Sequence, residues 1–503
     1  MIVPRLRSAT RALELASVLI LLCFVRPACA HVGSPNVFYV GDAGPYHLFV
    51  TVMVPQVIPG IAEVEVRTSS NQVREVSTVV TRLSGAGSRY APVPDLAHRS
   101  PVDPHLFTSS VWLMEYGSLR ILLKVSGSGG NAELSVPVAS FARQSLPMPR
   151  WLGALLLAMT AGLAVGAISI VGAAARDSRL PPGATADERS RHRGRVAKAV
   201  TAVLVAGFFY LAFAWWDADA LRHARLTRLF KAPPVAVTLE EDSRLKLTAT
   251  DPVWVKYRLM DKLLPDHGHL MHLFLIRTPA FDRFWHLHPV RTEDGDFEVN
   301  LPPLDAGHYQ VFADVVDESG FPWTLVGTID LPQIKGAALS PDDSGGSFAP
   351  RAENGSGSAT DVLRDGMRVV WQHEPLEKNI PLNLRFSVED ADGSPVRDME
   401  PYMGMAAHLE IVRSDLSVFA HIHPSGSAPM AAVMLANGET GASSAPSLHG
   451  MSMPNDSTMT MPAKVEPELS MPYGFPKSGV YRIFVQFKRG NRIETAVFDT
   501  QVH

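Results

Sequence analysis

Four stretches between positions 31 and 145, YHLFVTVMV, IAEVEVRT, LRILLKV and AELSVPV, alternate apolar and polar residues and are separated by Gly, Pro, Ser and Asn. Residues two apart share one face of a strand, so this period predicts half-buried strands, and about a hundred residues of them predict an all-β sandwich. The pattern returns in 235–332 and 361–503, in SRLKLTAT, YQVFADVV, PLNLRFSVED and YRIFVQF, with EDGD and DADG as turn signals. Two stretches break it: 151–175 and 199–216 are continuously apolar and long enough to cross a bilayer core of about 30 Å. The expectation is a mainly β chain of three Ig-like or cupredoxin-like β-sandwich domains around a two-helix transmembrane hairpin.

The segments between these blocks refine the picture. Residues 1–30 read as a secretory signal, with Arg5, Arg7 and Arg11 before an apolar run from Leu13 to Phe24 and ACA at its end. Cleavage after Ala30 would remove Cys23 and Cys29, the chain's two cysteines. Disulfides, zinc–thiolate centres and blue-copper sites would then be excluded. Between the apolar stretches, 176–198 carries Arg176, Arg179, Arg189, Arg191, Arg193, Arg195 and Lys198 against Asp177, Asp187 and Glu188. Such an excess of cations predicts a cytoplasmic loop, which leaves the rest of the chain on the periplasmic side of a bacterial inner membrane. Residues 333–360 are polar and Gly/Ser-rich, and read as a flexible linker. A net charge of −4 gives no global basic field for nucleic acid.

The last two domains are copies of one module. HGHLMH at 267–272 and MGMAAH at 403–408 are followed by Phe-x-His-x-His-Pro, ending at Pro289 and Pro424, and then by Gly-x-Tyr-x-x-Phe from Gly307 and Gly479. Three landmarks in one order define an internal repeat.

The repeat also carries the candidate chemistry. His286 and His288, like His421 and His423, are spaced to share a strand face, and His272 and His408 lie a hairpin's distance upstream. Each module is therefore expected to assemble its own three-imidazole site. Rim histidines bonding water or backbone are the plainer reading. Ten of the eighteen methionines lie between Met399 and Met471. They include Met403 and Met405 in the second frame, and Met451, Met453, Met459 and Met461 beside His449 in a polar loop at 425–470. Imidazole suits copper and zinc, whereas thioether selects copper(I), so copper ranks ahead of zinc. The histidine frame, with His267 and His269, points to copper(II), and the methionine frame points to copper(I). Methionines that only scavenge oxidants are the alternative. His31 would become the mature N-terminus, and its amine and imidazole could chelate copper(II), with His47 and His105 as further ligands.

The run from DADGSPVRDMEPYMGMAAH to HIHP and on to GVYRIFVQFKRG resembles a sandwich module of bacterial secreted and membrane-anchored proteins linked to copper or heavy-metal handling. The matching positions are Asp398, Met399, Glu400, Pro401, Tyr402, His408, His421 and His423. The first module departs from that pattern, with LMDKLLPDHGHLMH in place of the acidic–Pro–Tyr run. The N-terminal domain is loosely similar to CopC-like copper sandwiches. The resemblance implies fold more than function; taken with the motifs, the expectation is a membrane-anchored periplasmic copper-binding protein that buffers copper or delivers it to a transporter or a copper-dependent oxidase. The alternative is a structural protein that organises a membrane complex without metal. No nucleophile–base pair, phosphate-cradling glycine loop or paired-carboxylate motif stands out, so no enzyme is expected.

Overall fold

A computed structural model describes residues 36–69, 72–85, 92–144, 148–181, 183–226, 229–373, 375–438 and 465–503. The signal segment, His31, His449, Met451, Met453, Met459 and Met461 lie outside the described residues.

Each predicted β region is a pair of antiparallel sheets. In the N-terminal domain a five-stranded sheet covers a four-stranded one. Its strands alternate as the pattern requires: along Gly60–Thr68, Ala62, Val64 and Val66 enter the core while Glu63 and Glu65 face out. Module 1 packs a four-stranded sheet on a six-stranded one. Module 2 repeats the plan with four strands on five. In both, a long central strand (Gly307–Asp317 or Gly479–Arg489) pairs with the strand that opens on a histidine, His272–Thr278 or His408–Arg413. That strand pairs in turn with the one carrying His-x-His, Arg283–Leu287 or Phe419–Ile422.

These strands are buried on both faces. Leu273 and Leu275 fill the core of module 1, and Leu409 and Ile411 fill that of module 2. Their neighbours Phe274, Ile276, Phe284 and Phe312 meet Val412, Phe419 and Phe484 in a further apolar cluster between the modules. Phe284 stacks on Phe484 at 4.1 Å and Phe312 on Phe419 at 4.3 Å between ring centroids. Aromatic pairs of this kind add about 0.5–1.5 kcal/mol beyond their buried area. Arg482, 2 % exposed, ties the edge of the interface: it pairs with Asp499 through two bonds of 2.7 Å and donates to the carbonyls of Phe281 and Ala349.

Two expectations are corrected here. Residues 333–360 do not form a free linker. Ser344–Ser347 adds a strand to the edge of Arg283–Leu287, and the segment runs along the seam between the modules. Its small polar residues allow this because the backbone itself supplies the bonds. Gly345 (φ 151°) lies so close to Trp285 that a Cβ would come within 2.5 Å of the ring. The second correction concerns the helices, Arg150–Asp177 and Glu188–Leu226, which continue through most of the expected 176–198 loop and well beyond 199–216. Their apolar faces are unburied, and both are long and apolar enough to cross a membrane. The segments that lead in and out are tied together, Phe230 N–H donating to Ala142 C=O at 2.8 Å.

Removing the Phe484 ring should cost about 3–5 kcal/mol, the usual range for emptying a packed aromatic site. In thermal melts and amide exchange, Phe484→Ala should loosen both modules together. Protection lost in module 2 alone would mean that the shared cluster does not couple them.

Candidate metal centre

The repeated six-residue frame is first of all a turn. His267 (φ 50°) and Gly268 (φ 86°) are both left-handed, as are Met403 (φ 47°) and Gly404 (φ 78°). This is the two-residue hairpin turn whose twist matches its flanking strands. Asp266 and His269 close the first turn with backbone bonds of 2.8 and 2.9 Å, and Tyr402 and Met405 close the second with the same lengths. The turns meet: His267 Nδ1 lies 3.0 Å from the Met403 carbonyl oxygen.

His272, His286 and His288 converge as the repeat predicts, with His272 Nδ1 3.0 Å from His286 Nε2 and 3.2 Å from His288 Nε2. Their opposite nitrogens each face an acceptor. His272 Nε2 is 3.1 Å from the Asp266 carbonyl, and His288 Nδ1 is 2.9 Å from the Asp343 carboxylate. His286 Nδ1 is 2.9 Å from Gln486 Oε1, and the Gln486 amide nitrogen is committed to Ser344 and Thr495. The protons therefore sit on the outer nitrogens, and three lone pairs point at one another. Three lone pairs cannot satisfy each other, whereas a cation between them can. A tetrahedral ion about 2.0–2.1 Å from each nitrogen sets them roughly 3.3 Å apart, close to the spacing found. Outer acceptors of this kind orient metal-binding imidazoles.

The second triad corrects the expected one-site-per-module arrangement. It joins His408 and His423 of module 2 to His267 of module 1. Donation from Nδ1 to Met403 leaves the His267 Nε2 lone pair 3.2 Å from His423 Nε2. His421 stands between the triads, with ring centroids 5.3 Å from His272 and 5.4 Å from His408. The cause is the two-sided burial of the strands: the histidine faces of the modules are turned toward each other. His269 stacks on His288 at 3.9 Å and reaches Asp342, so it supports the first triad without entering it. Met405 is buried and pairs through its backbone with Tyr402. Tyr402 itself donates to the Asp342 carbonyl at 2.9 Å and lies 3.4 Å from His286 Nδ1. In the N-terminal domain His47 pairs with Asp42, and neither it nor His105 belongs to a candidate metal group among the described residues.

Asp343, Gln486 and Glu410 escaped the motif reading. For Glu410 and Gln486 the signal was a polar residue in an otherwise apolar strand, HLEIVR and YRIFVQF; Asp343, in a polar Gly/Ser-rich segment, gave none. Glu410 occupies the repeat position of Phe274, is fully buried, and has no hydrogen-bond partner on either carboxylate oxygen. Both nitrogens of His408 and Nε2 of His421 are likewise unpartnered. Burying polar atoms without partners is costly, and here they are gathered in one place.

Burial, reinforced by neighbouring imidazoles, drives His272, His286, His408, His421 and His423 well below the ordinary imidazole range. Burial drives Glu410 well above the carboxylate range, raises Asp266 and pushes Asp314 up to about 7. For Asp343 burial acts upward, but hydrogen bonds and charge from His288 prevail and hold it low.

Residues 360–503 match the family described as Domain of unknown function (DUF8832). That span is module 2, including the Asp398–Tyr402 run and both of its His-x-His histidines. Comparison with curated proteins returned no match. Among solved structures, PorU from Porphyromonas gingivalis is 9 % identical with a TM-score of 0.14, and the alignment covers 93 % of this chain and 34 % of PorU. The chain thus spans about a third of PorU. The Escherichia coli adhesin FdeC is 10 % identical at a TM-score of 0.15, covering 94 % of this chain and 98 % of FdeC. A membrane-anchored protein from Corynebacterium diphtheriae is 9 % identical at 0.13, covering 93 % and 96 %. Likeness this low carries no structural or functional weight.

The buried groups set a pH dependence for the metal-free protein. Between about pH 6 and 5 the six lowered imidazoles, the five above and His269, take up protons on unfolding, so their contribution to stability is lost as pH falls. Asp266, Asp314 and Glu410 act oppositely, because they release protons on unfolding. The lowered imidazoles outnumber the raised carboxyls six to three, so net stability falls as pH drops through that range. Denaturant titrations across that range should show it, and stability that rises on acidification would contradict the assignment. Asp343→Ala should weaken metal binding about 10–100-fold, measured by chelator competition, through loss of the bond that orients His288.

Proposed function

We propose that this is a membrane-anchored protein that holds copper in two histidine sites between its repeated modules and buffers or delivers it on the periplasmic side. The observation that carries the reading is the convergence of three imidazole lone pairs whose outer nitrogens all face acceptors. Such a cluster is hard to stabilise without a cation. Copper is favoured over zinc because the same module supplies thioethers, in Met403, Met405 and the methionine-rich loop, and thioether selects copper(I). The two apolar helices fit the anchoring. Buffering or delivery fits the burial of the ligands better than turnover of a substrate does.

A second reading, a metal-free interaction protein, rests on the apolar cluster, which could hold the modules together by itself. Elemental analysis of the full chain, purified in detergent without chelators, separates the two. The expected result is two copper ions per chain. Paired His286→Ala and His288→Ala should remove one. His267→Ala should remove the other, although His267 belongs to the first module. A metal-free chain that stays so after exposure to copper and to zinc would defeat the reading.

The same arrangement reassigns the histidine-to-methionine exchange. If His267 serves the second site, His267→Met should give that site a sulfur donor and shift its preference toward copper(I). Competition with chelators specific for each oxidation state measures the shift. An unmoved preference would take His267 out of the ligand set.

A further inference from the structure

A cavity of about 130 Å³ abuts the cluster. Its walls come from the N-terminal sandwich, both modules and the short helix Met430–Ala436. Asp266, His272, Asp314, His421 and His423 are the titratable residues of its lining, and among the described residues no Lys or Arg lines it. His421 has carboxylates on both sides: its Nδ1 is 3.7 Å from Asp314 Oδ2, and its Nε2 is 4.0 Å from Glu410 Oε1. Both gaps are too long for hydrogen bonds. Glu410 Oε1 lies in turn 3.8 Å from His286 Nδ1. The His421 side chain is 5 % exposed and that of Glu410 0 %, and His421 Nε2 and both Glu410 oxygens lack hydrogen-bond partners. Asp314 accepts a bond from Thr324 Oγ1 at 2.6 Å, whereas Glu410, without hydrogen bond or protein cation, is satisfied by a proton or by a cation from outside that replaces it.

We propose that Asp314, His421 and Glu410 form a station of two successive contacts, Asp314 with His421 Nδ1 and then His421 Nε2 with Glu410, through which a first-row transition-metal ion passes from the cavity toward the two triads. This rests on the metal-binding reading above. Asp314 faces the cavity, His421 stands between the triads, and Glu410 lies beside the outer nitrogen of His286 in the first of them. The ion moves by exchange of oxygen and nitrogen ligands, with no change of oxidation state.

The test is stopped-flow uptake of cobalt(II), followed by its visible absorption, on the full chain in detergent. Asp314→Asn and Glu410→Gln should each load at least tenfold more slowly than the parent while reaching the same final cobalt content. Asp314→Glu, which keeps the charge, should restore most of the rate. Parental rates in both neutral variants would overturn the station. Failure of the parent chain to bind cobalt would overturn the metal-binding reading instead. Should Asp314→Asn not fold, Glu410→Gln decides alone.

A separate set of observations concerns the membrane side. Ile61 and Trp112 are cross-strand partners on the N-terminal sandwich and both are exposed, Trp112 by 57 %, with exposed Met114 beside them. In module 1 the helix Pro252–Tyr257 exposes Val253, Val255 and Tyr257. Both patches adjoin the segments that enter and leave the apolar helices. Arg143 N–H bonds Gln56 C=O just before the strand that carries Ile61. Phe141 packs on Phe230 at 4.5 Å, Phe230 stacks on Trp323, and Trp323 meets Trp254 of the exposed helix. Lys256 and Arg258 flank the second patch.

We infer that these two patches rest on the lipid surface, with aromatic and aliphatic side chains at headgroup depth and the two cations on anionic lipid. The inference rests on the helices being membrane anchors. Spin labels at Val255→Cys and Trp112→Cys, in the full chain with Cys23 and Cys29 replaced, report depth in phosphatidylethanolamine/phosphatidylglycerol vesicles. Both should be accessible to oxygen and shielded from a polar nickel chelate, whereas a label at exposed Val362 in module 2 should behave oppositely. Aqueous labels at 112 and 255 in protein that resists alkaline extraction would overturn the seat. Protein removed by alkali would overturn the anchoring.

Discussion

A sheet face that is buried against another protein surface must satisfy every polar group it carries from within that interface. The two repeated modules meet through such faces, and most of the rest follows from that condition. Along one end of the shared surface the residues are Phe, Ile and Val, and dispersion and the hydrophobic effect suffice. Along the other end they are His, Glu, Gln and Asp, and His286, His408, Glu410 and Gln486 are removed from water as completely as the phenylalanines beside them. Each such group must find a partner or impose a cost of about 1–3 kcal/mol. In the first triad the outer nitrogens find theirs in Asp266, Gln486 and Asp343, which forces the inner lone pairs together. In the second only His267 does so, through Met403.

Duplication explains how the second triad arose without a complete ligand set in module 2. Each module brings a hairpin turn, a strand opening on histidine and a His-x-His strand, and docking the equivalent faces brings the two sets within a few ångströms. The copies have since diverged where the interface is asymmetric. Phe274 packs against Phe419 and His421, while its repeat counterpart Glu410 carries a carboxylate into the same layer. The divergence of histidine and methionine in the turns belongs here too. In both copies the turn is kept, and the side chains on either side of its glycine have changed, from His267 and His269 to Met403 and Met405.

The surroundings hold this interface in place. Residues 333–360 bridge the modules along the seam and supply Asp342, Asp343 and Ser344 to the histidines and to Tyr402. The N-terminal sandwich docks on module 2 by inserting Phe38 into its core and by backbone pairing at Val40 and Ser425. The helix Met430–Ala436, in the insertion that distinguishes module 2, closes one side of the cavity and packs on the N-terminal domain.

Much of this was legible in the chain. Period-two alternation marked the sandwiches, continuous apolar runs marked the two helices, and the repeat marked His272, His286 and His288 as one group, because all of these depend on residues close in sequence or fixed on one hairpin. Three things were not legible. A polar, Gly/Ser-rich composition says that a segment cannot form its own core, but not that a neighbouring strand edge offers its backbone a ladder, as happens at Ser344–Ser347. The pattern of HLFLIRT and HLEIVR does not say what covers the second face of those strands, so the meeting of the modules was hidden. With it was hidden the transfer of His267 to His408 and His423, which lie more than 135 residues away. Periodicity determines which side chains share a face. Only the packing of one face against another decides which side chains share a site.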